Sequence, residues 1–404
     1  MSTRLGYLVP EFPSQTHAFF WREVEALRDL GATVRLISTR RPPAGSCRHA
    51  FAGPAAAETR YLYPPRWPAA AATLAARPAG AARALAYIAG LAESPPRARL
   101  RALGLLACAA DLAALARAEE LDHIHAQSCA DAAHVVALCR LLGGPPYSLV
   151  LHGDLPVYGF DHRAKMAGAA FVATAGPHLV DQVVGQGVDP ARVMPTWMGL
   201  DTDAFAPGPP REPSPPGRLH LATVARLNRC KGHRHALAAV REGVDRGLDL
   251  RYTVAGDGPD EAEIRGDVRR LGLEDRVEFP GSLGEHDVLA LLRRVDAFIL
   301  PSVGLGEAGP VSLMEAMAVG LPSVCSVIGA TPQMMADGVE GYLVPQADEP
   351  GLLAAIGRLA DDPPLRRRMG ESARLRAVST FDRRATAGRL LASVRAGTVV
   401  GATS

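Results

Sequence analysis

Two patterns of apolar residues alternate along the first half of the chain. Arg4 to Val9 is a short, mostly apolar run, and Thr16 to Leu30 follows with apolar residues at helical spacing. Thr33 to Ser38 is again a short apolar run. A strand, a helix and a second strand in this order predict a parallel sheet. Further elements are predicted as strands at His123–Ala126, Tyr147–Leu151, Phe171–Ala175 and Val193–Trp197, a helix at Ala130–Leu142 and a helix ending at Gln186.

The second half repeats this alternation after a proline-rich segment. Residues 207–217 read Pro-Gly-Pro-Pro-Arg-Glu-Pro-Ser-Pro-Pro-Gly, which predicts a stiff, extended linker between two domains. The tail from Pro364 to Val394 is helical in pattern and basic. Strands are predicted at Leu219–Val224, Arg251–Ala255, Arg276–Phe279, Asp296–Leu300 and Pro322–Val327, with helices between them.

Two segments of the first half depart from the alternation. Arg40 to Pro65 shows no period and is predicted to be irregular. Trp67 to Ala118 is rich in Ala, Leu and Arg, with breaks near Pro78 and at Ser94-Pro-Pro96, and it predicts a helical insertion over about 60–118. Its arginines together with Trp67 fit either a membrane-surface face or the solvated face of an ordinary helix.

Length and composition narrow the class of protein. At 404 residues two domains are expected rather than one core, and the net charge of +2 without a dense basic block gives no case for a nucleic-acid partner. The start of the chain lacks a signal-peptide layout, and the longest apolar run, Ala102 to Ala118, is too short to cross a bilayer. We therefore expect a cytoplasmic protein. The six cysteines form no CxxC pair, so neither zinc nor a disulfide framework is indicated.

Two carboxylates stand eight positions apart in the second half. Glu307 lies in the predicted loop after the strand that ends at Leu300, and Glu315 lies in the helix that follows. Pro310 suits the first position of that helix, where a missing N–H costs nothing. Ligands of open α/β sheets bind at this edge, and helix-start N–H groups favour anions there. Spacing alone leaves open an acid/base pair, or an exposed helix carboxylate beside a loop charge.

A basic loop precedes these carboxylates. Arg226-Leu-Asn-Arg-Cys-Lys231-Gly232 joins a predicted strand to a helix that begins near His233. A guanidinium fork and an ammonium group beside helix-start N–H groups suit a diphosphate. A solvated basic turn is the alternative.

Several other motifs are weak. Gly256-Asp-Gly258-Pro has Glu261 where a dinucleotide fingerprint needs glycine, and no P-loop is present. Ser302 and Ser312 lack the setting of a nucleophilic serine. Asp201-Thr-Asp203 fits a DxD metal motif, but two aspartates at this spacing are common by chance. His152, His125 and Asp154 have no strong metal-ligand spacing.

Together the motifs resemble the retaining glycosyltransferases of family 4. The similarity rests on Arg226-x4-Lys231-Gly232, Gly256-Asp-Gly-Pro259, Glu307-x7-Glu315-Ala-Met-Ala-x-Gly-x-Pro322, Gly329-Ala-x-Pro332, Asp337-Gly-x-x-Gly341, Met198 to Phe205, His152-Gly-Asp154 and Phe12-Pro-Ser-x-Thr16, the last as in polysaccharide-type members. It implies the α/β GT-B architecture, in which two Rossmann-like domains with parallel sheets face a cleft and the C-terminal helix crosses back to the first domain. The implied domains are 1–206 on the acceptor side, the linker 207–217, 218–379 on the nucleotide-sugar side, and the helix 380–404.

The resemblance also implies roles for single residues. Arg226 and Lys231 would stabilise the leaving diphosphate, Glu307 would hold donor-sugar hydroxyls, and His152 would contact the sugar. Glu315 would accept hydrogen bonds from the ribose. The other implied donor contacts are Gly256, Gly258, Ser282, Leu283, Ala308, Gly309, Pro310 and Val311, and the acceptor-side contacts are Ser14, Gln15, Thr16 and Asp154. Gln15 stands where many relatives have glutamate.

The implied activity is transfer of a sugar from a nucleoside-diphosphate sugar to an acceptor hydroxyl, with retained configuration and without a metal or cofactor. The acceptor would be a glycan, a glycolipid or a small glycoside of natural-product type, and contact with the inner face of a membrane stays open. Two alternatives remain, a nucleotide-sugar epimerase of the same fold and a non-catalytic protein that binds nucleotide sugars.

Overall fold

The computed structural model describes residues 2–15, 17–209, 212–304 and 307–402, with the backbone alone for 398–402. The chain divides into two units. Unit 1 comprises Met1–Gly199 with Arg383–Ser404, and unit 2 comprises Leu200–Asp382. The predicted linker lies within unit 2, where the Ser214 hydroxyl donates to Asp296 at 2.8 Å.

Unit 1 is built on a parallel sheet that, among the described residues, has seven strands. Its order is β3-β2-β1-β4-β5-β6-β7. The strands predicted from the apolar runs are confirmed, and the order reverses between β1 and β4. The bounds are β1 Arg4–Glu11, β2 Thr33–Arg40, β3 Arg60–Tyr61, β4 His123–Ala126, β5 Tyr147–Leu151, β6 Val172–Ala175 and β7 Val193–Thr196.

The helices of unit 1 follow the strands and include the predicted insertion. The prediction that Arg40 to Pro65 is irregular is wrong for part of the segment, because Ala52–Glu58 forms helix α2 and Arg60–Tyr61 adds β3 to the sheet beside β2. The insertion is confirmed as α3 to α5, with Trp67 65% exposed at its start. The bounds are α1 Ala18–Asp29, α2 Ala52–Glu58, α3 Trp67–Ala76, α4 Pro78–Ala89, α5 Pro96–Ala118, α6 Asp131–Leu141, α7 His162–Ala167 and α8 Val180–Val184. Over the described residues, no helix is long and apolar enough to cross a membrane.

Unit 2 has a second parallel sheet, six-stranded over its described residues. The order is β10-β9-β8-β11-β12-β13, so it reverses between β8 and β11. Loops that follow the two strands at such a reversal are where open α/β sheets bind ligands. The bounds are β8 Arg218–Val224, β9 Asp249–Ala255, β10 Val277–Gly281, β11 Ala297–Leu300, β12 Ser323–Ser326 and β13 Gly341–Val344.

The helices of unit 2 lead into the C-terminal helix of unit 1. The predicted helical tail is confirmed and consists of two helices, α15 and α16, which are separated at Asp382 with φ −57° and ψ 130°. The bounds are α9 His233–Asp245, α10 Glu261–Arg270, α11 Glu285–Arg294, α12 Val311–Val319, α13 Thr331–Met334, α14 Glu349–Asp361, α15 Pro363–Phe381 and α16 Arg383–Ala402.

The last helix, α16, packs on α1 within unit 1. Ala387, Leu390, Leu391 and Val394 recur at helical spacing and are buried in the same apolar core as Phe20. This apolar stripe explains why the helix lies on the first unit rather than in solvent. The return of the C-terminal helix to the first domain is therefore confirmed.

Candidate active site

The loops after β8 and β11 meet where the strand order of unit 2 reverses. Gly232 adopts φ +68°, and a Cβ atom there would lie 1.9 Å from the carbonyl oxygen of Pro301. The Val303 amide also donates to the carbonyl of Cys230 at 2.8 Å. This close backbone contact explains the glycine, and it sets the Lys231 ammonium beside Glu307.

Glu307 is held by two donors on one oxygen. Lys231 Nζ lies 2.5 Å from Glu307 Oε2, and Ser302 Oγ donates to the same atom at 2.8 Å. The Glu307 side chain is only 8% exposed and that of Lys231 20%. Within the described part of the chain, Glu307 Oε1 receives no hydrogen bond. The interpretation of Glu307 as a free loop charge is therefore wrong, and one carboxylate oxygen is left for a ligand.

The start of α12 offers unbonded amides close to Glu307 in sequence. The N–H groups of Gly309, Val311 and Ser312 have no acceptor among the described residues. Unbonded N–H groups at a helix start form an anion site. Pro310 has an extended backbone with ψ 115° and precedes the helix, so its predicted place at the first helical position is wrong by one residue.

Glu315 lies in the second turn of α12 and is 8% exposed. The interpretation as an exposed helix carboxylate is therefore wrong. A carboxylate is buried at a cost unless it is paired or hydrogen-bonded. The burial of Glu315 therefore indicates that its carboxylate has a defined role at this edge of the sheet.

Gly256 and Gly258 support the loop that carries Arg226. A Cβ on Gly256 would lie 1.9 Å from the Ala225 carbonyl oxygen, and one on Gly258 would lie 2.3 Å from that of Leu227. The glycines are therefore required by close packing of the two loops. The Arg226 side chain is exposed and makes no hydrogen bond or ion pair with any described residue, so its guanidinium is available to a ligand.

Other residues of the same edge complete the description. Ser282 and Leu283 are half-buried directly after β10. His233, the first residue of α9, is buried, and burial lowers its pKa to about 4. Its Nε2 lies 3.3 Å from the carbonyl oxygen of Arg226, so a neutral ring donates to the backbone of the basic loop.

The Glu307 loop is also fixed from its other side, by the segment after β12. Gly329 adopts φ +52°, and a Cβ there would lie 1.5 Å from the carbonyl oxygen of Glu307. The amide of Ala330 donates to the carbonyl of Ala308 at 3.0 Å, and Ala308 is buried. Backbone contacts on both sides therefore fix where Glu307 lies.

We expect Gly329→Ala to destabilise the protein by about 3 kcal/mol or more, because left-handed strain and a backbone clash add. Gly338→Ala is the matched control, since Gly338 has φ +75° with open space around its Cβ position and should cost about 1–2 kcal/mol. Urea denaturation of both variants measures the difference. Equal costs would show that the contact with Glu307 is not tight.

The residues predicted for the acceptor side lie in unit 1. His152 and Asp154 follow β5 and are half-buried, and Asp154 Oδ1 accepts from Gln182 Nε2 at 2.8 Å. Ser14 is half-buried in the loop after β1. The Gln15 side-chain oxygen accepts from the Arg48 amide at 2.8 Å, so it holds the loop after β2. Thr16 lies outside the described residues.

Two polar contacts, one in each unit, were not predicted from the sequence. Ser302 holds Glu307, and Gln127 Oε1 lies 2.8 Å from His152 Nε2. Ser302 and Gln127 each follow a predicted buried strand by one or two positions. Ligand sites form at this edge of an open α/β sheet, so their positions in the sequence could have identified them as candidates.

The weak metal motifs have other partners in the structure. Asp201 Oδ1 accepts from the Ala204 amide at 2.9 Å. His125 is buried and shares a hydrogen bond with Ser148 at 2.7 Å. Across the ranges that the structure describes, no group of three His, Cys, Asp or Glu residues could hold a metal ion.

Comparison with known proteins shows what the second half of the chain resembles. Residues 209–376 match the family model of the group 1 glycosyl transferases, a segment that contains the Arg226 and Glu307 loops. Over its full length the chain has the GT-B fold, which confirms the predicted α/β class. It superposes on HepE from Anabaena, solved in complex with UDP, with a TM-score of 0.74 at 17% identity, covering 98% of this chain and 100% of HepE. At that identity the likeness concerns the fold alone.

Relatives with higher identity match part of the chain. WcaL of Escherichia coli K12, named for glycosyl transfer in colanic acid biosynthesis, is 40% identical over 172 residues, 41% of this chain and 42% of WcaL. The MMP alpha-(1->4)-mannosyltransferase of Mycolicibacterium hassiacum is 34% identical over 245 residues, 58% of this chain and 56% of that protein. The chain thus matches about half the length of these relatives or less.

Proposed function

We propose that the protein is a retaining glycosyltransferase of family 4, which moves a sugar from a nucleoside-diphosphate sugar to an acceptor hydroxyl. The observation that carries this proposal is the Lys231–Glu307 pair on the loops that meet at the reversal of the unit 2 sheet. It brings an ammonium and a carboxylate together in the segment that matches the glycosyl transferase model. The unbonded amides at the start of α12 add donors for an anion.

The chemistry follows from the charges. The bond between the anomeric carbon and the diphosphate oxygen breaks, and the leaving nucleoside diphosphate gains negative charge. Lys231, Arg226 and the α12 amides stabilise that charge, so no metal is required for it. The acceptor oxygen attacks from the face that the diphosphate leaves, and a diphosphate oxygen takes the acceptor proton. Glu307 holds donor hydroxyls through Oε1, and Glu315 accepts from the ribose hydroxyls.

For the substrates, the names of similar proteins are the guide. HepE is described in complex with UDP and glucose. WcaL is named for colanic acid biosynthesis, and the glycosyltransferase AmsK of Erwinia amylovora is named for amylovoran biosynthesis. We propose a growing polysaccharide as the acceptor class. A small natural-product acceptor is the second candidate, because the 2-deoxystreptamine glucosyltransferase of Streptomyces kanamyceticus is 31% identical over 189 residues.

A thermal-shift screen of nucleotide sugars with and without EDTA tests the donor class. A donor at 100 times its Kd should stabilise the protein by about 2.7 kcal/mol, and EDTA should leave that shift and subsequent transfer unchanged. Donor isomerisation without any acceptor would favour an epimerase, and binding without donor consumption would favour a non-catalytic protein. A chain that no nucleotide sugar stabilises would contradict the proposal.

A further inference from the structure

Four side chains form a continuous hydrogen-bonded row inside unit 1. Tyr7 of β1 donates through its hydroxyl to Glu23 Oε2 of α1 at 2.5 Å. Gln127, directly after β4, donates from Nε2 to the same Glu23 oxygen at 2.7 Å. The row ends at His152, directly after β5, whose Nε2 lies 2.8 Å from Gln127 Oε1.

The direction of these bonds fixes where the protons lie. Glu23 Oε2 accepts from the Tyr7 hydroxyl, so the group of Gln127 that faces this oxygen must be the donor, its NH₂. The amide oxygen of Gln127 then faces His152. Because that oxygen can only accept, the proton of a neutral His152 ring lies on Nε2 and the lone pair on Nδ1.

The surroundings of the ring keep it neutral. His152 packs edge-on against Phe19 and Phe20 at ring-centroid distances of 5.2 and 5.3 Å. Burial, with His17 nearby, lowers the pKa of His152 to about 3. Its Nδ1 is buried and has no partner among the described residues. Aromatic packing would accept either tautomer equally well, so the choice between them comes from Gln127.

The backbone of the same loop is fixed independently of the ring. The His152 amide donates to the Tyr158 hydroxyl oxygen at 2.8 Å, and the Tyr158 carbonyl accepts from Lys165 Nζ at 3.0 Å. Lys165 is itself buried. The position of the loop is therefore set by Tyr158 and Lys165, which leaves the proton position on the ring as the separate contribution of the row.

We propose that Glu23 and Gln127 are positioning residues for His152, which lock its ring as the neutral Nε2–H tautomer. The consequence for the reaction rests on the proposed function and on the sugar contact that the resemblance implies for His152. A ring whose Nε2–H is committed to Gln127 and whose Nδ1 is buried serves as a fixed neutral group, and it does not act as a general acid or base. Misplacing a group that contacts the substrate costs about a hundredfold in rate, so fixing the His152 ring contributes to turnover.

Proton-coupled ¹⁵N NMR of histidine-labelled protein tests the tautomer directly. The His152 signals are assigned by their loss in His152→Gln. We expect a protonated Nε2 and an unprotonated Nδ1 in the natural protein. A protonated Nδ1 in that protein would overturn the proposal without any variant.

Variants at Gln127 test the cause. Gln127→Leu should convert His152 into a mixture of tautomers and lower kcat/KM about ten- to a hundredfold. Gln127→Glu should keep the Nε2–H tautomer, because one carboxyl oxygen still accepts from the ring while the other shares a proton with Glu23 Oε2. Gln182→Leu is the matched control, since Gln182 bonds the same loop at Asp154 and Leu155 but not the ring, and it should leave the tautomer unchanged.

The two proposals fail in distinguishable ways. An unchanged His152 spectrum in folded Gln127→Leu would overturn the positioning role whatever the enzyme does. A confirmed tautomer in a protein that transfers no sugar would instead contradict the proposed function. A tautomer change in Gln127→Leu with unchanged kcat/KM would show that the row has no part in the reaction, and would overturn the proposal.

Discussion

Replacing Lys231 with alanine is expected to lower kcat/KM for sugar transfer by about 10²- to 10³-fold. The half-buried ammonium lies in the loop after β8, and its 2.5 Å contact with Glu307 places it at the edge where the diphosphate is proposed to leave. Removing one charge-assisted donor to a developing oxyanion costs about 2.7–4 kcal/mol. Steady-state kinetics with the donor found in the thermal-shift screen measures the loss, which should fall on kcat as well as on kcat/KM.

The same loop supplies the control for this prediction. Arg229 is an exposed cation two residues before Lys231, and it pairs with Glu263 at 3.0 Å. Arg229→Ala removes the same formal charge from the loop but no group that we place at the diphosphate, so it should change kcat/KM by less than about twofold. Equal losses in the two variants would mean that general charge of the loop, and not Lys231, carries the effect.

The fold could be predicted from the sequence because strands and helices each leave a local pattern of apolar residues. Buried parallel strands are short apolar runs, and each is followed by a segment of helical period. The position of the site followed from the same pattern, since the loops with Arg226, Lys231 and Glu307 each come directly after such a run. The short strand β3 was missed because two residues carry no period.

Contacts between loops were beyond the sequence. Gly232 and Gly329 were noted only as parts of motifs. Glycine is required at these positions because the backbone of Gly232 approaches Pro301 and that of Gly329 approaches Glu307, and these contacts depend on which strands are neighbours. The burial of Glu315 is of the same kind, because helical spacing alone is equally consistent with an exposed carboxylate. Gln127 was missed since its partner, His152, lies 25 positions away on another loop.

Replacing Glu307 with alanine is expected to lower kcat/KM by about a hundredfold. The variant loses the hydrogen bonds that a carboxylate makes to donor hydroxyls, each worth about 1.5–3 kcal/mol, and it leaves the Lys231 ammonium without its partner. Glu307→Gln should lose less, because the amide oxygen still accepts from Ser302 and Lys231 and keeps the loop in place. Kinetics with singly deoxygenated donor sugars identifies the hydroxyl that Glu307 holds.

The decisive comparison combines the variant with the deoxygenated donor. If Glu307 binds one hydroxyl, removing that hydroxyl from the donor should lower kcat/KM strongly for the natural enzyme but only slightly for Glu307→Ala, because the two changes delete the same interaction. Additive losses at every hydroxyl would contradict the role. Adding azide to Glu307→Ala tests a further mechanism, in which Glu307 would be a covalent nucleophile as in retaining glycosidases. Azide would attack the anomeric carbon as the diphosphate leaves and restore turnover of Glu307→Ala only if Glu307 were the nucleophile. We expect no rescue, because Glu307 Oε2 is already committed to Lys231 and Ser302 and the remaining oxygen is assigned to a hydroxyl.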